Sequence, residues 1–186
     1  MKGHIFQMFE GFVKRRWGGA LLDELYISAQ IPEDSLPFLR PVSYPDQYLL
    51  RMISSLASKT GVSIDSLVYE YGKYLVPDLI QMYPVVTSGM TSAIELLQAV
   101  DRIHVSEVKK LYPDASPPDI RVSEWNESKR EGVLTYNSPR HLCRLVEGVL
   151  DGIADWYKEK ITYQKTHCLK KGDPYCVYLF SIQKRR

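Results

Sequence analysis

Apolar residues recur at steps of three and four through the first part of the chain, then change to alternation. The first regime predicts helices at 4–17 and 20–28, a break through Pro32, Pro37, Pro41 and Pro45, and a helix from about Asp46 to Lys59 ended by Gly61. Ser63 caps another through Tyr74, and Pro77 is expected to kink or restart the chain. A further helix places Met90, Ile94, Leu97, Val100, His104, Val108 and Leu111 on one face, with Asp101, Arg102, Lys109 and Lys110 elsewhere. A Ser92–Glu95 capping box opens it and Pro113 stops it. Beyond Ser116-Pro117-Pro118 the period becomes two. Strands are expected near 119–125 and from Gly132 to Tyr136, around a turn at Asn126-Glu127-Ser128. Pro139, at a first helical position, opens a helix to about Tyr157. Strands at 160–167 and 175–183 then turn through Gly172-Asp173-Pro174, with Cys176, Tyr178, Phe180 and Ile182 on one face of the last.

Composition narrows the class. At 186 residues, 45% hydrophobic and 11% aromatic, the chain can bury the core of a single domain with a small second subdomain. The formal charge of +2 is carried by scattered basic residues, and Lys184-Arg185-Arg186 reads as a solvated tail, so no nucleic-acid partner is expected. Charge follows Met1 too soon for a signal peptide, and no apolar run approaches membrane-spanning length. A cytoplasmic protein is expected, whose Cys143, Cys168 and Cys176 are reduced thiols or metal ligands rather than a disulfide framework.

Two constellations carry chemistry. His104 occupies a core position, where its imidazole nitrogens need either a carbonyl partner or a metal. Tyr136, Ser138 and Arg140 alternate at a strand exit, so a phenol, a hydroxyl and a guanidinium converge as a receptor for carboxylates; a serine cap beside a surface arginine would read the same. No catalytic serine set, phosphate loop or metal-hydrolase helix is present in the sequence, and an enzyme is not expected.

Taken in order, His104 on its helix, Pro118 closing the following loop, and Tyr-x-Ser-x-Arg at 136, 138 and 140 resemble the haem-nitric oxide/oxygen binding (H-NOX) family, which includes the haem domain of soluble guanylate cyclase. Met1-Lys2-Gly3 and the Gly72 region add to the likeness, which spans essentially the whole chain. The resemblance implies an α+β fold. A helical subdomain (about 1–62) would lie over a proximal one (about 63–186) with helices and a four-stranded antiparallel sheet, and a b-type haem would sit between them. His104 would be the axial iron ligand, Tyr136, Ser138 and Arg140 would hold the haem propionates, and Pro118 would press on the porphyrin. Ile5, Phe9, Leu75, Leu79 and Leu145 would line the distal pocket. Leu145 stands where oxygen-binding members carry a donor tyrosine, and Phe9 and Leu75 stand where they carry supporting polar groups. Nitric oxide is the implied signal, because bound oxygen gains more from a donor. Its binding would release His104 and let the helix 91–112 shift. His4 is expected at the surface rather than in this pocket.

The cysteines are open to two readings. Some bacterial relatives hold zinc with three cysteines and one histidine here, but this chain has Lys165 at the histidine position, leaving His167, beside Cys168, or His141 as a fourth donor to Cys143, Cys168 and Cys176. Three packed thiols are the other reading. The chain ends soon after its last strand, so the resemblance implies a separate effector such as a histidine kinase or a cyclic-di-GMP enzyme. A non-haem small-molecule or redox and zinc-sensing module of similar architecture is the alternative from another class.

Overall fold

Phe6, Phe9, Phe12 and Val13 fall on one side of α1 (Gly3–Trp17), and Leu22 and Leu25 on one side of α2 (Gly19–Ser28). The same spacing buries Leu49, Met52, Ile53 and Leu56 of α3 (Asp46–Thr60), which ends as Gly61 turns left-handed at φ 72° and donates its amide to the Ala57 carbonyl. Ser63 then caps α4 (Ile64–Met82) by accepting the Ser66 amide at 3.2 Å. Leu67, Val68, Tyr71 and Leu75 complete this N-terminal core, while Val76 and Ile80, further along the same helix, join the core that packs on the sheet. The computed structural model describes residues 1–108, 110 and 112–184, without the side chains of Ser106 and Glu107. Lys109 and Leu111 of the predicted helix, and Arg185 and Arg186 of the tail, lie outside the described residues.

Pro77 neither breaks nor restarts α4, which continues to Met82. The carbonyl that loses its helical partner is that of Lys73, and it lies against Gly152, where no side chain intrudes. The short α5 (Pro84–Thr87) follows, and the Thr87 hydroxyl donates to the Ile80 and Tyr83 carbonyls at the end of α4.

α6 (Ala93–Arg102) carries the His104 stripe, but α winding gives way to a π segment over Ile103–Val108. The expected capping box does not form. The Ser92 side chain makes no cap bond, and Glu95 reaches the Thr91 amide at 2.7 Å. The first-turn amide of Ala93 is taken instead by Glu159, 66 residues away, at 2.8 Å. Glu159 is buried and pairs through its other oxygen with Arg130 at 2.8 Å, and Arg130 also donates to the Ile182 carbonyl.

The strands β1 (Asp119–Asn126), β2 (Glu131–Asn137), β3 (Glu159–His167) and β4 (Cys176–Lys184) form one antiparallel sheet in the order β1-β2-β4-β3. Cys176, Tyr178, Phe180 and Ile182 all point inward from β4, as the alternation predicts. The helix expected from Pro139 starts later, as α7 (Cys143–Trp156). His141 has a φ of 51°, which no helical turn accommodates, so the chain makes one more turn before the helix begins.

α7 packs on both the sheet and α4, and glycine makes the second contact feasible. A Cβ on Gly148 would stand 1.9 Å from the Tyr69 carbonyl oxygen, and one on Gly72 2.4 Å from that of Leu145. Gly148→Ala should therefore push the helices apart and destabilise the fold by about 2 kcal/mol or more. Thermal unfolding of the two proteins tests this, and an unchanged midpoint would contradict it.

Candidate functional site

A cavity of about 420 Å³ lies between the α4–α7 pair and the π segment with the loop that follows it. Leu75 and Leu79 come from α4, Leu145 from α7, and Ile5 from α1. Phe9, expected on this wall, is not there. It packs one layer back, edge-on to Tyr71 at 5.2 Å and fully buried, in the N-terminal core. Its neighbours Phe12 and Tyr71 explain the shift, since one helix face presents a continuous aromatic cluster to α4. Two polar side chains also reach the cavity away from its mouth. Thr87 is spent on the carbonyls described above, and Tyr83 is not free either.

His104 lines the opposite wall beside Pro117 and Pro118. Its Nδ1 is buried and has no hydrogen-bond partner. Burial lowers the imidazole pKa from its ordinary value, against the raising influence of the Pro118 carbonyl and the Asp101 and Asp119 carboxylates. The ring is thus held in its neutral form, the form that donates a lone pair to a metal. An apolar cavity with the orphaned imidazole nitrogen of His104 beside Pro117 and Pro118 fits a haem, a flat apolar group whose iron can take an imidazole nitrogen.

Tyr136 and Ser138 are buried at the exit of β2 and line the same cavity with Arg140. The two hydroxyls are held here as acceptors, which leaves their own protons to donate, and only the guanidinium is committed as a donor. The Tyr136 hydroxyl accepts the Leu142 amide at 3.1 Å, and Ser138 Oγ accepts the Arg140 amide at 3.3 Å. Arg140 Nε donates to Asp46 Oδ2 at 2.6 Å and Nη1 to the Ser116 carbonyl at 2.8 Å. The other Asp46 oxygen takes the Met1 amine at 2.6 Å. Burial raises the Asp46 carboxyl, but the hydrogen bonds from the Met1 amine and Arg140 outweigh it and hold the pKa below the usual carboxylate value. Asp46 was legible only as a helix start; nothing local announces a partner 94 residues away.

The mouth holds two more residues that sequence reasoning missed. Lys2 is buried and donates to Asp114 at 2.6 Å and to the Pro41 carbonyl at 2.9 Å. His4, expected at the surface, is 7% exposed and lines the cavity. A signal existed: His4, Met8 and Phe12 share one face at steps of four, and the latter two are buried.

The cysteines form a second cluster at the same end of the sheet, where Cys176 is the cross-strand partner of Tyr136. Cys143 Sγ lies 3.0 Å from that of Cys176 and 3.9 Å from that of Cys168, and the three sulfurs are buried within 4.8 Å of one another. No histidine or carboxylate among the described residues joins them. His167 is exposed with Nδ1 3.1 Å from the Thr166 hydroxyl, even though the strand register shifts beside it. His141 is exposed as well. Lys165 pairs with the buried Glu147 at 2.6 Å, and Arg144 pairs with the same carboxylate. Burial pushes the Cys143 thiol up to about 12, reinforced by its hydrogen bond with Cys176. Burial also opposes ionisation of Cys168, but its backbone hydrogen bond at Lys170, its contact with Cys143 and the Lys165 charge outweigh that and lower its pKa.

A family model described as haem-NO-binding matches residues 2–165. The chain is similar to an H-NOX protein from S. oneidensis, solved in its Fe(II)NO ligation state, at 27% identity and a TM-score of 0.90 over 99% of this chain and 100% of that one. It also shares the fold of the unliganded Fe(II) H-NOX protein from K. algicida, at 22% identity and a TM-score of 0.86 over 100% of this chain and 98% of that one. An uncharacterised protein of Methanocaldococcus jannaschii is 24% identical over 158 residues, 83% of each chain. No described helix is long and apolar enough to cross a membrane.

The Asp46 bridge sets a pH dependence. Its carboxyl is depressed in the folded state, so its contribution is complete above the unfolded value and is lost as pH falls through the folded one. Asp46→Asn should be less stable than the parent at about pH 7, and the gap should close toward about pH 3. Urea unfolding across that range checks the sign, and a gap independent of pH would exclude the bridge as its source.

Proposed function

The chain belongs to the haem-NO-binding, or H-NOX, family of haem-based gas sensors, and from that premise we propose that it holds a b-type haem on His104 and responds to nitric oxide. The observation that carries the reading is the buried, unpartnered Nδ1 of His104 on the wall of an apolar cavity. Bound there, the haem supplies a ferrous iron that accepts one imidazole and one diatomic gas. His104 would serve as the protein's ligand, Pro118 would lie against the porphyrin, and Tyr136, Ser138 and Arg140 would take the propionates, with Asp46 orienting the Arg140 fork. Ile5, Leu75, Leu79 and Leu145 make the gas-side wall apolar, which disfavours stable oxygen binding and leaves nitric oxide as the signal.

Output would come from His104 itself. Its helix winds as π over Ile103–Val108, so release of the imidazole acts on the least regular part of the described helix. The chain would act as a sensor rather than an enzyme, passing the change by contact to an effector such as a histidine kinase or a cyclic-di-GMP enzyme. We also propose that Cys143, Cys168 and Cys176 supply three corners of a zinc site, supported by three buried sulfurs within 4.8 Å.

Purified protein with haem should show a Soret band that shifts with nitric oxide in the ferrous state and shows no stable oxygen form in air. His104→Gly should bind haem only with added imidazole, and gas binding should then no longer change effector activity. A colourless wild-type protein after reconstitution, or unchanged coupling in His104→Gly, would overturn the reading. Metal analysis should find about one zinc per chain, lost in Cys168→Ser; full thiol titration of the native protein with no zinc released would exclude the metal.

A further inference from the structure

Among the described residues, three buried side-chain nitrogens have no hydrogen-bond partner: His4 Nδ1, Arg51 Nε and His104 Nδ1. Two of them line the same cavity. The proposed function uses His104 and leaves His4 unexplained. An imidazole nitrogen stripped of water is costly to bury unless something occupies the position facing it.

The surroundings of His4 place it at the polar mouth. Its ring stacks on Tyr112 at 6.0 Å, and the same Tyr112 ring lies 5.1 Å from Lys2 Nζ. Following that residue along the chain, Asp114 binds Lys2 and Ser43, the Ser116 carbonyl binds Arg140, and Pro118 reaches His104. One strap therefore borders His4, Lys2, Arg140 and His104 in turn. The cations along it are already engaged. Lys2 is held by Asp114, the Met1 amine by Asp46, and two of the three Arg140 nitrogens by Asp46 and Ser116.

A haem would bring two carboxylates to this mouth, and the one cationic group of the motif that faces them, Arg140, already gives two of its nitrogens to Asp46 and Ser116. We propose that His4 is an additional haem-carboxylate residue, donating from Nδ1 to a propionate that Tyr136, Ser138 and Arg140 do not satisfy alone. The proposal rests on the haem reading above. The Arg40 backbone carbonyl engages the ring, which leaves Nδ1 as the atom for the ligand. To donate there while keeping the Arg40 contact, the ring takes up one proton from solvent as the carboxylate arrives. Without the carboxylate, burial lowers the imidazole pKa, and the Arg40 and Lys2 charges lower it further against the Arg40 carbonyl. Tyr112 and, through Lys2, Asp114 are the other titratable groups at this face. The carboxylate raises the pKa, so the contribution of His4 to haem retention is complete at low pH and fades as pH rises through the loaded value.

The test compares wild type with His4→Leu and His4→Gln by the rate of haem transfer to excess apomyoglobin, at about pH 6 and about pH 8.5. His4→Leu should lose haem about tenfold faster than wild type at the lower pH and close to equally fast at the higher. His4→Gln, whose amide donates without titrating, should give a ratio to wild type that rises less toward low pH than that of His4→Leu. With haem dimethyl ester, which carries no free carboxylate, His4→Leu and wild type should release the group at equal rates. Equal rates with ordinary haem at both pH values would overturn the assignment. So would a His4→Leu effect of the same size with the ester, or a low-spin spectrum that His4→Leu abolishes, which would mark His4 as an iron ligand. A wild-type protein that takes up no haem fails the underlying reading instead, before any variant is compared.

Discussion

Helices α4 and α7 meet backbone to backbone because Gly72 and Gly148 leave no side chains between them, while Gly152 makes room for Val76 and the Lys73 carbonyl. The cavity depends on that approach. With the helices drawn together, Leu75 and Leu79 of one and Leu145 and Val149 of the other line a single apolar space. α4 also belongs to both hydrophobic cores, its first half packing on α1 to α3 and its second half on the elements around the sheet. A wedge at Gly148 would therefore disturb the joint between the cores and the cavity wall together.

How much of this was legible depends on how far apart the interacting residues lie. The three-four spacing that places His104 on a core face, and the alternation that points Cys176, Tyr178, Phe180 and Ile182 inward, are local patterns, and the fold follows them. Ser92 and Glu95 had the spacing of a capping box, yet a buried glutamate from β3 outcompeted them for the Ala93 amide. Pro139 had the signature of a helix start, but the positive φ at His141 delays the helix to Cys143. Pro77 looked like a break, and the space beside Gly152 lets the helix pass through it. Phe9 shows the limit for the site, since its period assigns it to the core without saying whether it meets the cavity or the next layer.

The charged groups near the Tyr136 and Cys176 end of the sheet fall into two sets. At the cavity mouth, carboxylates from α3 and from the 112–118 strap hold every named cation except the one His4 would become on protonation. Beside the sulfurs, Lys165 pairs with the buried Glu147, and its charge also lowers the pKa of Cys168. The sulfur cluster brings together three thiols from two strand ends and one helix, with no histidine or carboxylate among the described residues beside them.

Glu159 gives α6 a pivot. The carboxylate grips the first amide of the helix and is itself tied through Arg130 to the sheet, whereas regular α hydrogen bonding stops at Arg102. His104 lies roughly 16 Å along the axis from Ala93 at about 1.5 Å per residue, so a tilt of about 4° carries it about 1 Å. Were α6 to turn about that anchor, a lever of that length would convert a small rotation into travel comparable to a bond, with the load passing through Glu159 and Arg130 to the sheet.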